Sequence, residues 1–280
     1  MKKFLLTGAS GFIGKNILEL LGNKYKIFFP SSTELDLLDN HSTASYFKDK
    51  NFDAVIHAAA VSASNATATP DAEEKIVEMF QSLLGQRHSY NKIIFLGSGA
   101  EYGKQRELKE VSEEEFGQLV PTDAYGLGKY NCSKIIEHED GIVNLRCFGV
   151  YGKYENASQR FISQAIISSL RGEAIVINKN VVFDYLWVGD LVKIIGYFIN
   201  FEPKNKFYNV ASGQQIDLIT LADIIAKQIG NTKQTIIKTP GLNNEYTANI
   251  ERLRQELPQL TFTNIDTGIA ELISFYKKTL

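Results

Sequence analysis

The most constraining stretch of this chain is Thr7-Gly8-Ala9-Ser10-Gly11-Phe12-Ile13-Gly14, which follows directly on the apolar run Lys3–Thr7. Glycines in the spacing G-x-x-G-x-x-G, between a strand-like run and a helical pattern, specify a strand, a tight turn and a helix in succession. Gly8 permits the turn, Gly11 lets main chain approach a pyrophosphate, and Gly14 lets the helix pack closely on the sheet. The helix N-terminus supplies open N–H groups and partial positive charge for the phosphates. Gly8, Ser10, Gly11, Phe12, Ile13 and Gly14 are therefore candidate contacts of a dinucleotide cofactor.

Further along, apolar runs alternate with helical patterns. Strands are expected at Lys3–Thr7, Lys26–Phe29, Ala54–Ala58, Lys92–Leu96 and Val143–Arg146, and helices at Ile13–Leu21, Thr43–Asp49, Asp71–Gln86 and Gly126–His138. Such alternation implies βαβ units with right-handed crossovers, hence an α/β fold of the Rossmann type with a doubly wound parallel sheet. Beyond about Val150 the pattern fragments. Helices fit Arg160–Leu170, Val188–Phe201, Asp217–Gln228 and Asp266–Lys278, with short strands at Ala174–Ile177 and Phe207–Val210. The expected organisation is a dinucleotide-binding domain over 1–150 and a smaller substrate-binding lobe over 151–280, some of whose elements return to the first domain.

Composition bounds the function. With 44% hydrophobic residues a sizeable core can be buried, and a net charge of −2 gives no support for a nucleic-acid partner. No stretch reaches the ~18 apolar residues of a membrane span, so a cytoplasmic protein with no membrane partner is expected. Cys132 and Cys147 are too few for a disulfide framework. His41, His57, His88 and His138 show no metal spacing, so no metal site is expected. Glu113–Glu115 reads as a solvated loop or helix start, and Phe183, Tyr185 and Trp187 read as packing residues.

Two places carry the chemistry. The second strand ends Phe28-Phe29-Pro30-Ser31-Ser32-Thr33-Glu34, with hydroxyls rather than an acid directly after it. An acid there accepts from a ribose 2′-OH and selects NAD; Ser31 and Ser32 instead suit a 2′-phosphate, favouring NADP over NAD. Asp36-Leu37 follows, with a carboxylate placed for an adenine amino group. In Tyr125-Gly126-Leu127-Gly128-Lys129, tyrosine and lysine share a helix face at i and i+4. An ammonium lowers the pKa of a nearby phenol and makes Tyr125 a usable proton carrier. Ser98, in the loop Gly97–Gly103 after a central strand, is placed to hydrogen-bond and polarise a substrate oxygen.

With these residues in view, the chain resembles the extended short-chain dehydrogenase/reductases of the nucleotide-sugar epimerase/dehydratase group. The resemblance runs through TGASGFIG (7–14), HAAA (57–60), GSGAEYG (97–103), YGLGK (125–129), LRCFGVYG (145–152), FDYLWVGDL (183–191) and FYNVASG (207–213). It implies that Ser98, Tyr125 and Lys129 are the catalytic triad, and that Ala58, Ala59 and Ala60 line the cofactor. It also places Phe148 near the nicotinamide through its main chain, and Ser98, Gly99, Ala100, Gly149 and Arg160 toward the substrate. Leu35–Asp39 is similar to the corresponding piece of the GDP-fucose synthases and dTDP-4-dehydrorhamnose reductases. Homodimers through the helix carrying Tyr125 are common in that family.

The departures are informative. The dehydratases of the group place Asp-Glu directly after the catalytic hydroxyl residue, and the decarboxylases a Glu at the second position; Gly99 and Ala100 stand there, and Glu101 is one place out of register. The family's Asn before Val-Tyr-Gly is Gly149, and the Arg that often clamps the pyrophosphate is Phe183. A bidentate phosphate clamp is therefore missing at that position, with Arg160 or Lys179 as replacements. The expectation is a 4-keto reductase of a nucleotide-linked sugar. The alternatives are a nucleotide-sugar 4-epimerase that retains NAD and, in another class, a non-catalytic dinucleotide-binding regulator.

Overall fold

Continuous apolar runs, rather than alternating ones, mark strands covered on both faces. Phe4–Leu6, Ala54–Ile56 and Ile93–Phe95 are such runs, and each of these residues is buried. The computed structural model describes residues 1–61 and 71–280. The chain runs β1 (Lys3–Thr7), α1 (Phe12–Leu21), β2 (Lys26–Phe28), α2 (Asn40–Phe47), β3 (Ala54–His57), α3 (Ala72–Leu84), β4 (Ile93–Ser98), β5 (Leu108–Val111), α4 (Ala124–Glu137), β6 (Ile142–Cys147) and β7 (Val150–Tyr151). It continues with α5 (Phe161–Leu170), β8 (Val176–Asn180), β9 (Val182–Asp184), β10 (Leu186–Trp187), α6 (Val188–Asn200), β11 (Phe207–Val210), β12 (Gln215–Asp217), α7 (Leu218–Ile229), β13 (Ile236–Leu242), β14 (Tyr246–Ala248), α8 (Glu251–Glu256) and α9 (Ile265–Thr279).

Six strands form one sheet in the order β11-β6-β4-β3-β1-β2, and every neighbouring pair is parallel. Strand order reverses between β1 and β3. In an open α/β sheet the crevice at that switch point, beyond the carboxyl ends of the strands, is where ligands bind. Gly8 follows β1 there and Ala58 follows β3. From the second half of the chain, β11 closes the far edge of the sheet, and Ile194 and Phe198 of α6 share a core with Phe4 and Leu6.

The lobe has a four-stranded sheet, β12-β9-β14-β5, and two strand pairs, β7–β10 and β8–β13. Helices α5, α7 and α9 pack there through Ile166, Leu221, Ile225, Ile269 and Leu272. Three local differences from the sequence expectation have physical causes. α2 starts at Asn40 because the Asp39 carboxylate caps it, accepting from the His41 N–H at 2.9 Å. β4 runs on to Ser98, and residues 99–102 wind into a 3₁₀ turn capped by the Ser98 hydroxyl instead of forming an open loop. Glu113–Glu115 forms the helix start that is one of its two sequence readings, a 3₁₀ turn, but is not wholly solvated: Glu113 is buried and accepts the Asn209 N–H at 2.7 Å, Glu115 pairs with Arg106, and Glu114 with Arg252.

Candidate active site

The turn after β1 is built around its glycines. Gly8 has φ +72°, and a Cβ there would lie 2.6 Å from the Ala59 nitrogen and 2.7 Å from the Ala58 carbonyl carbon. A Cβ on Gly14 would collide with the Gly8 carbonyl oxygen and with Ala9. Gly11 caps α1 without a side-chain hydrogen bond, and the first turn carries no acid. The helix end is thus shaped and charged to receive a pyrophosphate, with Ser10 exposed beside it. Thr7 ties β1 to β3, its hydroxyl 2.8 Å from His57 Nδ1 and accepting the Ala59 N–H at 3.3 Å. Burial pushes the His57 imidazole down to about 3, so it is a neutral structural group.

At the ribose end, Ser31 and Ser32 are exposed just beyond β2. The Ser31 N–H and hydroxyl both donate to Glu34 Oε2 at 2.8 Å, and the main-chain bond, then the hydroxyl, holds this carboxyl below its usual range. Asp36 is exposed and accepts the Leu38 N–H at 2.9 Å. Leu37 departs from expectation: its side chain lies in the core with Leu35, because the stretch alternates in and out, so only its main chain is left for a cofactor.

The opposite wall carries the residues expected to react. A cavity of about 480 Å³ is lined on one side by Phe12, Ile13, Ala58 and Ala60, and on the other by Ser98, Tyr125 and Lys129. Ser98 is the last residue of β4. Asp123 caps α4 by accepting the Gly126 N–H at 2.9 Å, which sets Tyr125 in the first turn with Lys129 one turn on. Gly128 lets α4 lie close to α3, since a Cβ there would come within 3.0–3.2 Å of Ile76 and Glu73.

The electrostatics differ from expectation in one respect. The Lys129 ammonium donates to the Leu96 carbonyl oxygen at 2.7 Å and lies 4.4 Å above the Phe95 ring. Burial pushes the Tyr125 phenol up to about 12, only partly offset by the Ser98 hydroxyl. The expected lowering by Lys129 is absent in this geometry because the ammonium points to the end of β4. Burial also draws the Lys129 pKa below its ordinary value.

Among the other expected contacts, Gly149 and Arg160 line the cavity. Gly149 has φ +45°, and a Cβ there would strike the Asp184 carbonyl oxygen, so the family's asparagine has no room. Lys179 sits in the β8–β13 pair, opposite Thr239, and does not line the cavity. Gly99 and Ala100 are buried in the 3₁₀ turn and do not reach the cavity. A Cβ on Gly99 would lie 2.5 Å from the Tyr246 hydroxyl and against the Phe148 ring. Phe148 is fully buried, and its N–H is committed to the Val210 carbonyl at 2.9 Å.

Sequence reasoning missed Lys104, Cys147, Glu155 and Tyr246, which also line the cavity, and Phe183 and Tyr185 form part of its wall rather than only packing. Tyr246 arrives on β14 by long-range pairing and had no local signal. Glu155 is buried, accepts a hydrogen bond from Ser163 through Oε1, and has no partner for Oε2 among the described residues.

Burial raises the Glu155 carboxyl from an ordinary 4.5 to about 7. The native state therefore binds more protons than the unfolded chain in that window, and stability falls as pH rises through it. At ~1.4 kcal/mol per unit, the full cost above neutrality is roughly 3 kcal/mol. His57 acts in the opposite sense between about 3 and 6.5, so the test is a difference between variants. Glu155→Gln, which keeps an acceptor for Ser163, raises Tm by several degrees near pH 8 and changes it little near pH 5. An equal shift at both pH values in thermal melts contradicts the assignment.

A switch-point crevice with a glycine cradle on one wall and Ser98, Tyr125 and Lys129 on the other defines a dinucleotide-dependent enzyme. The chain belongs to the NAD dependent epimerase/dehydratase family, whose model matches residues 4–211. It is 29% identical over 256 residues to GDP-L-colitose synthase of Yersinia pseudotuberculosis, covering 81% of this chain and 82% of the relative. It is 25% identical over 303 residues to a putative UDP-glucose 4-epimerase of Methanocaldococcus jannaschii, covering 98% of each. The fold matches that of the UDP-glucose 4-epimerase of Thermotoga maritima, solved with UDP-glucose, at a TM-score of 0.86, 22% identity and 99% coverage of each chain. Other solved structures of this fold hold NAD or NADP. Among the described residues no helix is long and apolar enough to cross a membrane.

Proposed function

We propose that the chain reduces the C4 ketone of a nucleotide-linked sugar through Ser98, Tyr125 and Lys129. The observation that carries this reading is the single cavity that joins those three residues to Phe12, Ile13, Ala58 and Ala60 of the cofactor wall. A reduced nicotinamide bound along the glycine turn supplies the hydride. Ser98 donates to the ketone oxygen, and Tyr125 delivers the proton that makes it a hydroxyl. A phenol held up at about 12 is fully protonated at neutral pH, the form a reduction consumes. Lys129, freed from Leu96, grips the ribose and stabilises the phenolate left behind. Arg160 and Lys104, both exposed at the cavity, receive the diphosphate in place of the clamp missing at Phe183.

Either NADP or NAD serves as cofactor. Glu34, held by Ser31, brings a carboxylate to the strand end and counts toward NAD; the exposed Ser32 counts toward NADP. A homodimer through α3 and α4 is the proposed assembly, with the half-buried Val77, Met79 and Ile135 on those helices.

A 4-epimerase is the second reading, favoured by full-length similarity to a putative 4-epimerase. The deciding experiment supplies NADPH or NADH with a 4-keto nucleotide sugar. The proposal predicts one equivalent of cofactor oxidised per sugar reduced and no dinucleotide retained on the purified protein by native mass spectrometry. Tightly retained NAD, with interconversion of C4 epimers and no net oxidation, overturns reduction in favour of epimerisation.

A further inference from the structure

A fully buried ion pair lies directly beneath the reacting residues. Arg146 Nε donates to Glu101 Oε2 at 2.7 Å, and neither side chain is more than 1% exposed. Oε1 of the same carboxylate accepts the main-chain N–H of Ser98 at 2.8 Å. Oε2 also accepts the Ser133 hydroxyl at 2.5 Å and Asn144 Nδ2 at 3.2 Å. Ser133 stands on α4 one turn beyond Lys129 and two beyond Tyr125, on the same helix face. Gly97 is glycine because a Cβ would run into Asn144 and Glu101. The guanidinium carbon lies 4.2 Å from the centroid of the Phe116 ring and 4.6 Å from that of the Phe207 ring.

A buried ion pair is a poor device for stability, because well-packed apolar groups of the same volume do as well or better. What this one supplies is connection. The carboxylate has room for about four donors, and it takes one from β4, two from β6 and one from α4. A glutamine would turn two N–H donors toward groups that are themselves donors.

We propose that Glu101 is a positioning residue for the reaction: one carboxylate fastens the Ser98 main chain with one oxygen and α4 with the other, and so sets the Ser98 hydroxyl against Tyr125 and Lys129. This rests on the reading that those three residues carry the chemistry. It also explains an acid one place out of register with the dehydratase pattern, since Glu101 faces away from the cavity. Its charge further opposes the loss of the Lys129 proton that burial promotes.

The test uses the full chain. Glu101→Gln lowers kcat roughly 10- to 100-fold, the effect of displacing a reacting group by about an ångström, while cofactor affinity, read by titration, stays within about threefold. Ser133→Ala, which leaves the ion pair and the Ser98 hydrogen bond in place, lowers kcat by a smaller factor and decides the matter if Glu101→Gln does not fold. Adding either change to Tyr125→Phe costs less than it does in the native enzyme, because one of the groups being positioned is already gone. Full kcat in folded Glu101→Gln and Ser133→Ala, or losses that multiply with Tyr125→Phe, overturns the inference. If Tyr125→Phe alone turns over normally, it is the proposed function that fails.

Discussion

Replacing Tyr125 with phenylalanine lowers kcat by roughly two to four orders of magnitude, the range of a positioned acid or base. The ring stays, so the wall of the cavity keeps its shape, and the substitution removes only the hydroxyl beside Ser98. Cofactor affinity and Tm are expected to hold, which separates loss of chemistry from loss of fold. Ser98→Ala is expected to cost about 10²- to 10³-fold, as for removal of one hydrogen-bond donor from a developing oxyanion. It also removes the cap on the 3₁₀ turn, where the Ser98 hydroxyl accepts the Ala100 N–H at 3.1 Å, so its thermal stability falls as well. Steady-state rates with the 4-keto sugar give both numbers. A Tyr125→Phe enzyme within about threefold of the native kcat removes the phenol from the mechanism.

Gly8→Ala is expected to abolish dinucleotide binding and to destabilise the fold by about 2–5 kcal/mol. Part of this is conformational: an L-residue held at φ +72° costs ~1–2 kcal/mol. The rest is overpacking, typically ~1–3 kcal/mol, because the new methyl would lie 2.6 Å from the Ala59 nitrogen and 2.8 Å from the Ala58 oxygen. Those atoms are main chain at the end of β3, so they yield only if β1 and β3 part at the switch point. Fluorescence titration with NAD(H) and NADP(H), alongside thermal melts, reads both effects. A variant that binds either cofactor normally shows that the turn does not hold the pyrophosphate.

The glycine turn and the six-stranded sheet were legible because they follow from local rules. β1, β3 and β4 carry continuous apolar runs that only a covered parallel sheet accommodates, and Gly8 and Gly14 stand where a Cβ has no space. Tyr125 and Lys129 were legible because helical spacing alone puts them on one face. The lobe was not: β5, β9, β12 and β14 are three or four residues long and exist by pairing with distant strands, so Tyr246 could not be placed at Ser98 from its neighbours in sequence. The direction of the Lys129 ammonium was also hidden, because spacing fixes a helix face but not which oxygen a flexible side chain finds. Gly99 and Ala100 were misplaced for a similar reason: whether residues after a strand open into a loop or wind into a 3₁₀ turn depends here on the buried Glu101, whose partners Asn144 and Arg146 lie more than 40 residues on.

The most direct measurement is a crystal structure of the enzyme with oxidised cofactor and the reduced nucleotide sugar. The Tyr125 hydroxyl and the nicotinamide are expected on the same sugar carbon and its oxygen, with Ser98 on that oxygen and the Lys129 ammonium moved from the Leu96 carbonyl to the ribose. A dinucleotide seated away from the Gly8–Gly14 turn, or a sugar carbon beyond the reach of Tyr125, would contradict this mechanism.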